Sequence, residues 1–393
     1  MPMSLLVGLA AAVPPEAIGA NWTQHLLTAS AEDPSRDAKC LDGTPPVYWH
    51  SPGSGDGADK WYVHMQGGAW CTNPDFCVYW WNWNNTQEDL ARAYPAGHNA
   101  QYGYFNRSSP GNAMANWNLV MIHYCDGFSF SGGLDRPIHA NMPDGSGIPG
   151  QNKNYTIHIR GRAILDAVID DLLANRGMGP AAAALSRGDA ASTGASMVVV
   201  GGCSAGGMAV YLNCDHWAAR IDSVNPTTQT RCLADSGFFM FPTLTNTSMF
   251  FQGWSMHNLT VESGLDAGCV AAQKPTEAWR CAAPEIAIQF VKTPLFAFNS
   301  KYDSYQLPGY AECPQNTSGA LPKPYAPCSE ALLDAWADQM TDKLRQWTQL
   351  PQSKKAGHAG VSCRSNTAAP TRAPNRQVRL TIGVLAVVPH FGW

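Results

Sequence analysis

The sequence feature that most constrains the fold of this chain is an apolar strand that leads through a glycine-rich turn into a helix. Met197–Val200 (MVVV) has no polar residue, which is typical of a central parallel strand covered on both faces. Gly202–Gly206 (GCSAG) follows almost at once, and a helix is predicted over Met208–Ile221. A G-x-S-x-G sequence between a strand and a helix is typical of a sharp elbow that exposes the serine hydroxyl. Ser204 is therefore the candidate nucleophile.

The rest of the chain alternates strand-like with helix-like segments. Short apolar runs that end at turn residues predict strands, and apolar residues at helical spacing predict amphipathic helices. The predicted strands are Trp61–Met65, Leu119–Tyr124 and Thr293–Phe298, and the predicted helices are Arg160–Asn175 and Glu330–Trp347. This alternation indicates the α/β class, with a mostly parallel central sheet flanked by helices. Because no linker or repeat divides the 393 residues, we predict a single domain over residues 25–393.

Two further segments combine with Ser204 into one arrangement. Gln66–Trp70 (QGGAW) directly follows a predicted strand, and in α/β-hydrolases a glycine-rich loop at such a place supplies an N–H group of the oxyanion hole. Asp303 follows the strand Thr293–Phe298, about 100 residues after the serine, where the acid of a Ser…Asp…His order is expected. Alone, each segment would predict only a turn. Together they predict the α/β-hydrolase fold.

Cysteines and sequons indicate the compartment. Twelve cysteines are unusual for a cytosolic enzyme of this size and typical of an oxidising compartment, where they pair. Seven N-x-S/T sequons point to the same compartment and are predicted glycosylation sites. Their asparagines are Asn21, Asn84, Asn106, Asn154, Asn246, Asn258 and Asn316. We therefore predict a secreted, extracellular protein, with the cell wall as one such location.

The N-terminus supports export. An apolar stretch, Met3–Val13, precedes the small-residue pattern Ala17–Gly19, so a signal peptide is predicted over residues 1–19, with a short buried segment as the alternative. No other apolar run approaches the roughly 20 residues that a membrane span needs, so no span is predicted.

Charge and spacing exclude several partners. A formal net charge of −4 gives no basic surface for nucleic acid, which is therefore not an expected partner. Cys214, Asp215 and His216 are adjacent, but their spacing matches no zinc pattern and a disulfide-bonded cysteine is the better interpretation. We expect no metal and no cofactor, and the oligomeric state is left open.

Six motifs occur in order along the chain. They are AKCLDGTPP at 38–46, GGAWC at 67–71, NWN at 116–118 with YCDG at 124–127, GCSAGG at 202–207, ADSGFF at 234–239 and YDSYQ at 302–306. In this order they resemble the pectin acetylesterase family, which includes plant pectin deacetylases and the animal Notum lipid deacylases. The resemblance covers roughly residues 25 to 350 and implies hydrolysis of a carboxylic ester without metal or cofactor.

The same resemblance assigns residues. It implies Ser204 as the nucleophile and Asp303 as the acid, with an oxyanion hole formed by the N–H groups of Gly68, Ala69 and Ala205. It also implies two disulfides, Cys40–Cys125 and Cys71–Cys77, and places Cys269 and Cys281 in a cysteine-bearing segment without pairing them.

The histidine departs from the family pattern. The family's base lies three residues after a cysteine, in a Gly-Val-Phe…Ser-Cys-x-x-His sequence. Here Gly360–Cys363 matches the start of that pattern, but Asn366 stands where the histidine is expected. His390, which follows an apolar segment, is the candidate base and His358 is the second candidate. The third possibility is that residues 351–393 form an atypical tail without the base.

These observations predict an esterase with an acetylated polysaccharide, such as pectin, as its substrate. YCDG and YDSYQ are closer to the plant motifs than to those of Notum, and this favours an acetyl ester. A Notum-like fatty-acyl protein deacylase is the nearer alternative. A catalytically dead extracellular binding protein is the other, because Asn366 replaces the histidine.

Overall fold

Strands in the described part of the chain build one seven-stranded sheet and a separate two-stranded hairpin. The computed structural model describes residues 22–78, 103–109, 111–142, 153–180, 194–240, 245, 248–303, 305–307 and 329–348. In chain order the strands are β1 Thr23–Leu26, β2 Val47–Ser51, β3 Lys60–Met65, β4 Asn118–Ile122, β5 Ile138–Met142, β6 Lys153–Ile157, β7 Met197–Cys203, β8 Gln229–Asp235 and β9 Leu295–Phe298.

Helices follow or separate these strands. In the described residues the α-helices are α1 Thr28–Glu32, α2 Gly161–Asn175, α3 Ala205–Asp222, α4 Met249–His257, α5 Ala267–Ala272, α6 Pro284–Ala287 and α7 Glu330–Thr348. Short 3-10 helices occupy Gly55–Gly57, Gly103–Phe105 and Pro275–Ala282. The longest helices, α2, α3 and α7, are the three that the sequence predicted, and α2 and α7 bury the apolar faces expected from their periodicity.

The main sheet has the strand order β1-β2-β4-β3-β7-β8-β9. Strands β4, β3, β7, β8 and β9 are parallel to one another, whereas β2 is antiparallel to both of its neighbours. The predicted α/β class and mostly parallel sheet are therefore confirmed. Because parallel strands end at one edge of the sheet, the loops that follow β3, β7, β8 and β9 meet there.

Alternate side chains of the sheet enter two apolar cores. In β7, Val198 and Val200 face a large core shared with α2 and α3, whereas Val199 faces a smaller core on the opposite side. The smaller core is closed by aromatic residues of the segment that precedes β4, including Phe105 and Trp117. The apolar run MVVV is buried on both faces, as a central parallel strand requires.

Several element boundaries differ from the sequence prediction. Strand β7 continues three residues beyond Val200, and α3 begins at Ala205 rather than Met208. The shift occurs because Ser204 itself stands immediately before the helix, so Gly206 of the motif and the following Gly207 lie within the first turn, whereas Gly202 is still part of β7. Strand β9 begins at Leu295 rather than Thr293, directly after a proline that has no N–H group to pair.

Disulfides tie distant segments together. Among the described residues the pairs are Cys40–Cys125, Cys71–Cys77, Cys214–Cys232 and Cys269–Cys281. The first two are the pairs that the family resemblance implies, and Cys203 is disulfide-bonded as well. The Cys40–Cys125 bond spans 85 residues, and closing a loop of that length lowers the entropy of the unfolded chain by the equivalent of about 4–5 kcal/mol.

Predicted surface features fall partly within the described residues. The asparagines of three sequons, Asn106, Asn154 and Asn258, are exposed, as a glycan acceptor must be. Outside the described residues lie the other four asparagines, the predicted signal peptide at 1–19 and the whole tail after α7, which includes residues 351–393. No helix of the described residues combines the length and the hydropathy that crossing a bilayer requires.

Candidate active site

Ser204 occupies a strained backbone position between β7 and α3. Its φ of 59° and ψ of −122° lie in a region that residues other than glycine rarely adopt. Its N–H group donates a hydrogen bond to the carbonyl oxygen of Asp235, the last residue of the neighbouring β8, at 3.0 Å. The side chain is half-buried, and within the described residues its hydroxyl makes no hydrogen bond. This is the geometry of an elbow that presents a nucleophile.

The two glycines of the motif are required by close approach of backbone. A Cβ atom on Gly206 would lie 1.9 Å from the carbonyl oxygen of Met65, at the end of β3. A Cβ atom on Gly202 would lie 2.2 Å from the carbonyl oxygen of Gly206. Real Cβ atoms do not approach so closely. The spacing of the motif therefore follows from how tightly the elbow packs against β3 and its own helix.

The loop after β3 packs directly against the elbow. A Cβ atom on Gly67 would lie 2.1 Å from the carbonyl oxygen of Cys203 and 3.0 Å from the backbone nitrogen of Ala205. Ala69, two residues further, has a φ of 61° and so turns the loop sharply. The structure thus packs the loop that carries the predicted oxyanion residues Gly68 and Ala69 directly against Ser204 and Ala205.

A buried serine links this loop to the first residue of α3. The indole N–H of Trp70 donates to the Ser129 hydroxyl at 2.7 Å, and that hydroxyl donates to the carbonyl oxygen of Ala205 at 2.8 Å. The Tyr124 hydroxyl accepts from the backbone N–H of Ser129 at 3.0 Å and donates to the carbonyl oxygen of Ala69 at 2.9 Å. The sequence analysis gave Ser129 no role. Its only local signal is a φ of 56°, which a sequence does not reveal.

Further contacts hold the two ends of the loop. The imidazole Nδ1 of His123 lies 2.8 Å from the side-chain oxygen of Gln66. At the other end, the imidazole Nε2 of His257 donates to the carbonyl oxygen of Cys71 at 2.8 Å, beside the Cys71–Cys77 bond. The sulfur and nitrogen atoms of these three residues lie within 4.8 Å of one another, but the two sulfurs are bonded to each other, so no thiolate is available to bind a metal.

Asp303 lies in the turn that follows β9. Its Oδ1 atom accepts from the backbone N–H of Tyr305 at 2.8 Å, and its Oδ2 atom accepts from the side-chain amide of Gln306 at 2.9 Å. Several donors thus fix the orientation of this carboxylate in a half-buried turn. Gln306, which belongs to the YDSYQ motif, holds the carboxylate, and the sequence analysis predicted no role for it.

The turn that carries Asp303 is also joined to the loop after β8. Gln306 accepts from the backbone N–H of Met240 at 2.8 Å and donates to the carbonyl oxygen of Phe238 at 3.1 Å. Asn299, the residue after β9, accepts from the N–H of Phe238 at 3.0 Å. Because Ser204 is itself bonded to the end of β8, this loop lies between the candidate nucleophile and the candidate acid.

Burial perturbs several titratable groups around the sheet. Desolvation lowers the pKa of His50 to about 4, that of His64 to about 3 and that of His257 to about 4. Burial raises the pKa of Asp126 to about 7, although two backbone N–H groups of the following loop bond to its Oδ2 atom and oppose that rise. These histidines are neutral at pH 7, and none of them contacts Ser204 or Asp303 within the described residues.

The candidate bases are not part of the described structure. His358 and His390 both lie outside the described residues, so the identity of the base stays a prediction. The structure does place the other predicted components at one sheet edge, since the oxyanion segment, the elbow and the acid-bearing turn follow the parallel strands β3, β7 and β9, with β8 between the last two.

The adjacent residues Cys214, Asp215 and His216 serve structural contacts. Cys214 is bonded to Cys232, and the Asp215 carboxylate accepts two hydrogen bonds from the backbone N–H of Lys292. His216 lies 2.6 Å from a carboxylate oxygen of Asp166 on α2. The three side chains therefore point to different partners.

A polar cavity lies away from the elbow. It has a volume of about 510 Å³ and is lined by charged side chains of α2, α3 and neighbouring loops. Its charges pair with one another, as in Arg220–Asp166 at 2.9 Å and Arg36–Asp170. None of the predicted catalytic residues lines it.

Comparison with known proteins places this geometry in a family. The family model described as Pectinacetylesterase matches residues 20–374. The chain belongs to the pectinacetylesterase family. The match includes Ser204, Asp303 and the oxyanion segment, and it reaches His358 but ends before His390.

Individual pectinacetylesterase relatives support the same assignment. Pectin acetylesterase 5 of Arabidopsis thaliana is 32% identical over 289 residues, which are 72% of this chain and 58% of that protein. Pectin acetylesterase 11 of the same plant is 28% identical over 70% of this chain and 61% of that protein. The human palmitoleoyl-protein carboxylesterase Notum is 26% identical over 51% of this chain and 34% of that protein. This chain thus spans about 60% of the length of the first plant relatives.

A solved structure supports the fold. The Wnt deacylase Notum from Drosophila superimposes with a TM-score of 0.55 at 23% sequence identity, covering 83% of this chain and 81% of that one. A sequence identity of 23% supports a shared fold and nothing more. Together with the elbow and the mostly parallel sheet, it identifies the fold of this pectinacetylesterase family member as an α/β-hydrolase fold.

Proposed function

We propose that this chain is a secreted carboxylic ester hydrolase that removes acetyl groups from an extracellular or cell-wall polysaccharide such as pectin. One observation carries the proposal above the others. The strained backbone of Ser204 turns its side chain out between β7 and α3, while the loop after β3 packs so closely on the elbow that a Cβ atom on Gly67 would lie 3.0 Å from the Ala205 nitrogen. Backbone strain of this kind is common at active sites, and the arrangement suits acyl transfer.

In the proposed reaction the Ser204 hydroxyl attacks the ester carbonyl carbon, and its proton passes to a histidine. The carbonyl oxygen becomes negative and is stabilised by the N–H groups of Gly68, Ala69 and Ala205, helped by the N-terminal dipole of α3. The alcohol of the polysaccharide leaves with the proton from the histidine. Water then attacks the acyl-enzyme, the acid is released, and the serine regains its proton.

Asp303 is proposed to orient that histidine and stabilise its charged form. Its Oδ1 atom accepts from the N–H of Tyr305 at 2.8 Å and of Gln306 at 3.3 Å, and its Oδ2 atom accepts from the side-chain amides of Gln306 at 2.9 Å and Asn299 at 3.5 Å. These donors hold the carboxylate in one orientation, and a histidine N–H would replace one of the two longer contacts. The base itself is proposed to come from the C-terminal region, with His390 and His358 as the candidates. No metal or cofactor is needed for any step.

The choice of an acetylated polysaccharide rests on the relatives. Pectin acetylesterases of Arabidopsis match about 70% of the chain at 28–32% identity, whereas the Notum proteins match 51–70% of it at 23–27% identity. A fatty-acyl protein deacylase is the second candidate, because the Notum proteins are members of the same set of relatives and share the fold.

The serine assignment is tested by Ser204→Ala. Loss of the nucleophile of such a triad costs on the order of a million-fold in turnover, far more than any packing change. We expect release of acetate from p-nitrophenyl acetate and from acetylated pectin to fall to background, with an unchanged urea unfolding curve. A variant that keeps a tenth of the parent activity would contradict the assignment.

The acyl specificity is tested with a series of p-nitrophenyl esters. A short acyl pocket loses burial and gains strain with each methylene that does not fit, so acetyl and butyryl esters are expected to react faster than octanoyl ester. Faster cleavage of octanoyl ester would favour the deacylase candidate over the polysaccharide esterase.

A further inference from the structure

Tyr305 is an exposed aromatic residue beside the candidate active site. Its side chain is 52% exposed, although the residue lies two positions after Asp303 and its backbone N–H bonds to that carboxylate. Among the exposed large apolar residues of the described chain, Leu26 is similarly exposed at 53% but lies on β1, at the opposite edge of the sheet. An isolated exposed apolar residue needs no explanation, so the surroundings of Tyr305 decide whether it has a function.

Those surroundings are a small aromatic cluster built from three loops. The ring of Tyr305 lies 6.2 Å from the ring of Trp70 and 6.0 Å from the ring of Phe239, at interplanar angles of 67° and 81°. Trp70 and Phe239 pack edge to face at 4.7 Å and are almost fully buried, at 4% and 2% exposure. The two buried rings therefore fix the position of the third, which remains half open to solvent.

The cluster is continuous with the catalytic loops. Trp70 follows the oxyanion segment and donates its indole N–H to the Ser129 hydroxyl, which in turn bonds Ala205 beside the nucleophile. Phe239 belongs to the loop after β8, and Tyr305 belongs to the turn that carries the acid. The exposed part of Tyr305 is thus held in a fixed position relative to Ser204.

We infer that Tyr305 is a stacking platform for a pyranose ring of the polysaccharide and so determines specificity for the polymer. This inference rests on the proposed function, because it assumes that a sugar ester is the substrate. About half of the surface of Tyr305 is accessible, while its ring also packs at a steep angle against Trp70 and Phe239. A pyranose ring offers an apolar face of C–H groups to such a surface, while its hydroxyls stay hydrated at the edge.

An acyl chain is a poorer occupant for the same surface. An acetyl group has a single methyl and cannot cover a tyrosine ring, and a long acyl chain requires an enclosed apolar pocket to keep water out. Tyr305 instead presents its ring at an open surface. Contact with the sugar would add affinity for the polymer without touching the bond that is cleaved.

The test compares Tyr305→Ala, Tyr305→Phe and the control Leu26→Ala, which removes an equally exposed apolar side chain far from the site. Each variant is assayed with p-nitrophenyl acetate, with p-nitrophenyl octanoate and with acetylated pectin. For Tyr305→Ala we expect KM for pectin to rise about tenfold, because contact with a sugar ring buries about 50 Å² of apolar surface that the variant loses. The kcat/KM for p-nitrophenyl acetate should stay within twofold of the parent value, because the backbone N–H that bonds Asp303 is retained. Tyr305→Phe keeps the ring and is expected to behave like the parent, as is Leu26→Ala.

A binding measurement separates this inference from the proposed function. In the Ser204→Ala background, retardation of the protein in gels that contain acetylated pectin measures affinity without turnover. We expect Tyr305→Ala to weaken that retardation about tenfold and Tyr305→Phe to leave it intact. If the parent chain hydrolyses neither ester, the proposed function fails, and this binding result alone decides the role of Tyr305.

Three results would overturn the inference. One is an unchanged KM and unchanged retardation in Tyr305→Ala. Another is an equal loss on both substrates, which would mean that the ring merely supports the turn of Asp303. The third is a higher KM for octanoyl ester without any change for pectin, which would make Tyr305 part of an acyl pocket.

Discussion

Removal of the Ser129 hydroxyl is the perturbation that most directly tests how the oxyanion loop is held. Ser129→Ala deletes two hydrogen bonds, the one from the Trp70 indole at 2.7 Å and the one to the Ala205 carbonyl at 2.8 Å. Trp70 is only 4% exposed and Ser129 is fully buried, so water cannot replace the lost acceptor. A buried donor left without a partner costs about 1–3 kcal/mol. The Ala205 carbonyl loses less, because it can still accept within α3.

We therefore expect the free energy of unfolding of Ser129→Ala to fall by about 2–3 kcal/mol. The effect on turnover is separate. The hydroxyl joins the oxyanion loop to the residue that follows Ser204, and a misplacement of about 1 Å at a reacting centre costs on the order of a hundredfold in rate. Because the donors remain present, kcat for p-nitrophenyl acetate is expected to fall about 10- to 100-fold, with KM changed less than threefold.

Two matched variants separate positioning from stability. Ser248→Ala removes another buried serine hydroxyl, the N-cap of α4 that accepts from the N–H of Phe251, and should cost about 1 kcal/mol in stability while kcat stays unchanged. Ser129→Gly removes the hydroxyl but suits the φ of 56°, so it should be more stable than Ser129→Ala and equally slow. If Ser129→Ala kept the parent kcat, or if Ser248→Ala lost as much activity, the positioning argument would be refuted.

Three other perturbations give definite expectations. Between pH 6.5 and about 4, His50, His64 and His257 bind protons in the unfolded chain but not in the folded one. Asp126 has the opposite effect, because burial raises its pKa in the folded chain. The net difference of two protons should lower the free energy of unfolding by about 2.7 kcal/mol for each pH unit of acidification. Urea titrations from pH 6.5 to 4.5 measure this slope, His257→Gln should halve it, and a stability that rises on acidification would contradict it. Cys71→Ser should lower kcat clearly while changing the free energy of unfolding little, because the Cys71–Cys77 bond closes only a short loop beside the oxyanion segment. Enzyme kinetics and urea unfolding of the same samples measure the two effects. A loss of stability without a loss of kcat would contradict the prediction. Asn366→His should raise ester turnover at least tenfold over a weakly active parent, whereas a fully active parent that is silenced by His390→Ala would identify that residue as the base.

The parts of the site that the sequence predicts are those with a short-range signal. The elbow around Ser204 is predictable because the strand, the glycine spacing and the helix are contiguous in the sequence. Each glycine is required there because a Cβ atom would clash with nearby backbone. Asp303 is predictable from its place after an apolar strand. The start of α3 is misplaced because Gly206 and Gly207 weaken the helical pattern, although close approach to Met65 and Gly237 makes glycine necessary there.

The unpredicted parts depend on contacts between distant segments. Strand β8 has Thr230, Cys232 and Ala234 at its buried positions, so it lacks the large apolar side chains that mark a strand in a sequence. The link from Trp70 through Ser129 to Ala205 joins residues 59 and 76 positions apart. Neither the type nor the spacing of these three residues predicts that they are bonded to one another, so the link can be seen only in the folded structure.

The loop after β8 explains why the nucleophile and the acid can be fixed together. It begins where the Asp235 carbonyl holds the N–H of the strained Ser204, and Gly237 packs so closely on Gly207 of α3 that a Cβ atom there would lie 2.2 Å from backbone. It continues through backbone groups bonded to Asn299 and Gln306, which fix the turn of the acid. A strain of roughly 1–3 kcal/mol at Ser204 persists because these contacts determine the backbone from both sides. Movement of this loop would therefore displace the candidate serine and the candidate acid at once.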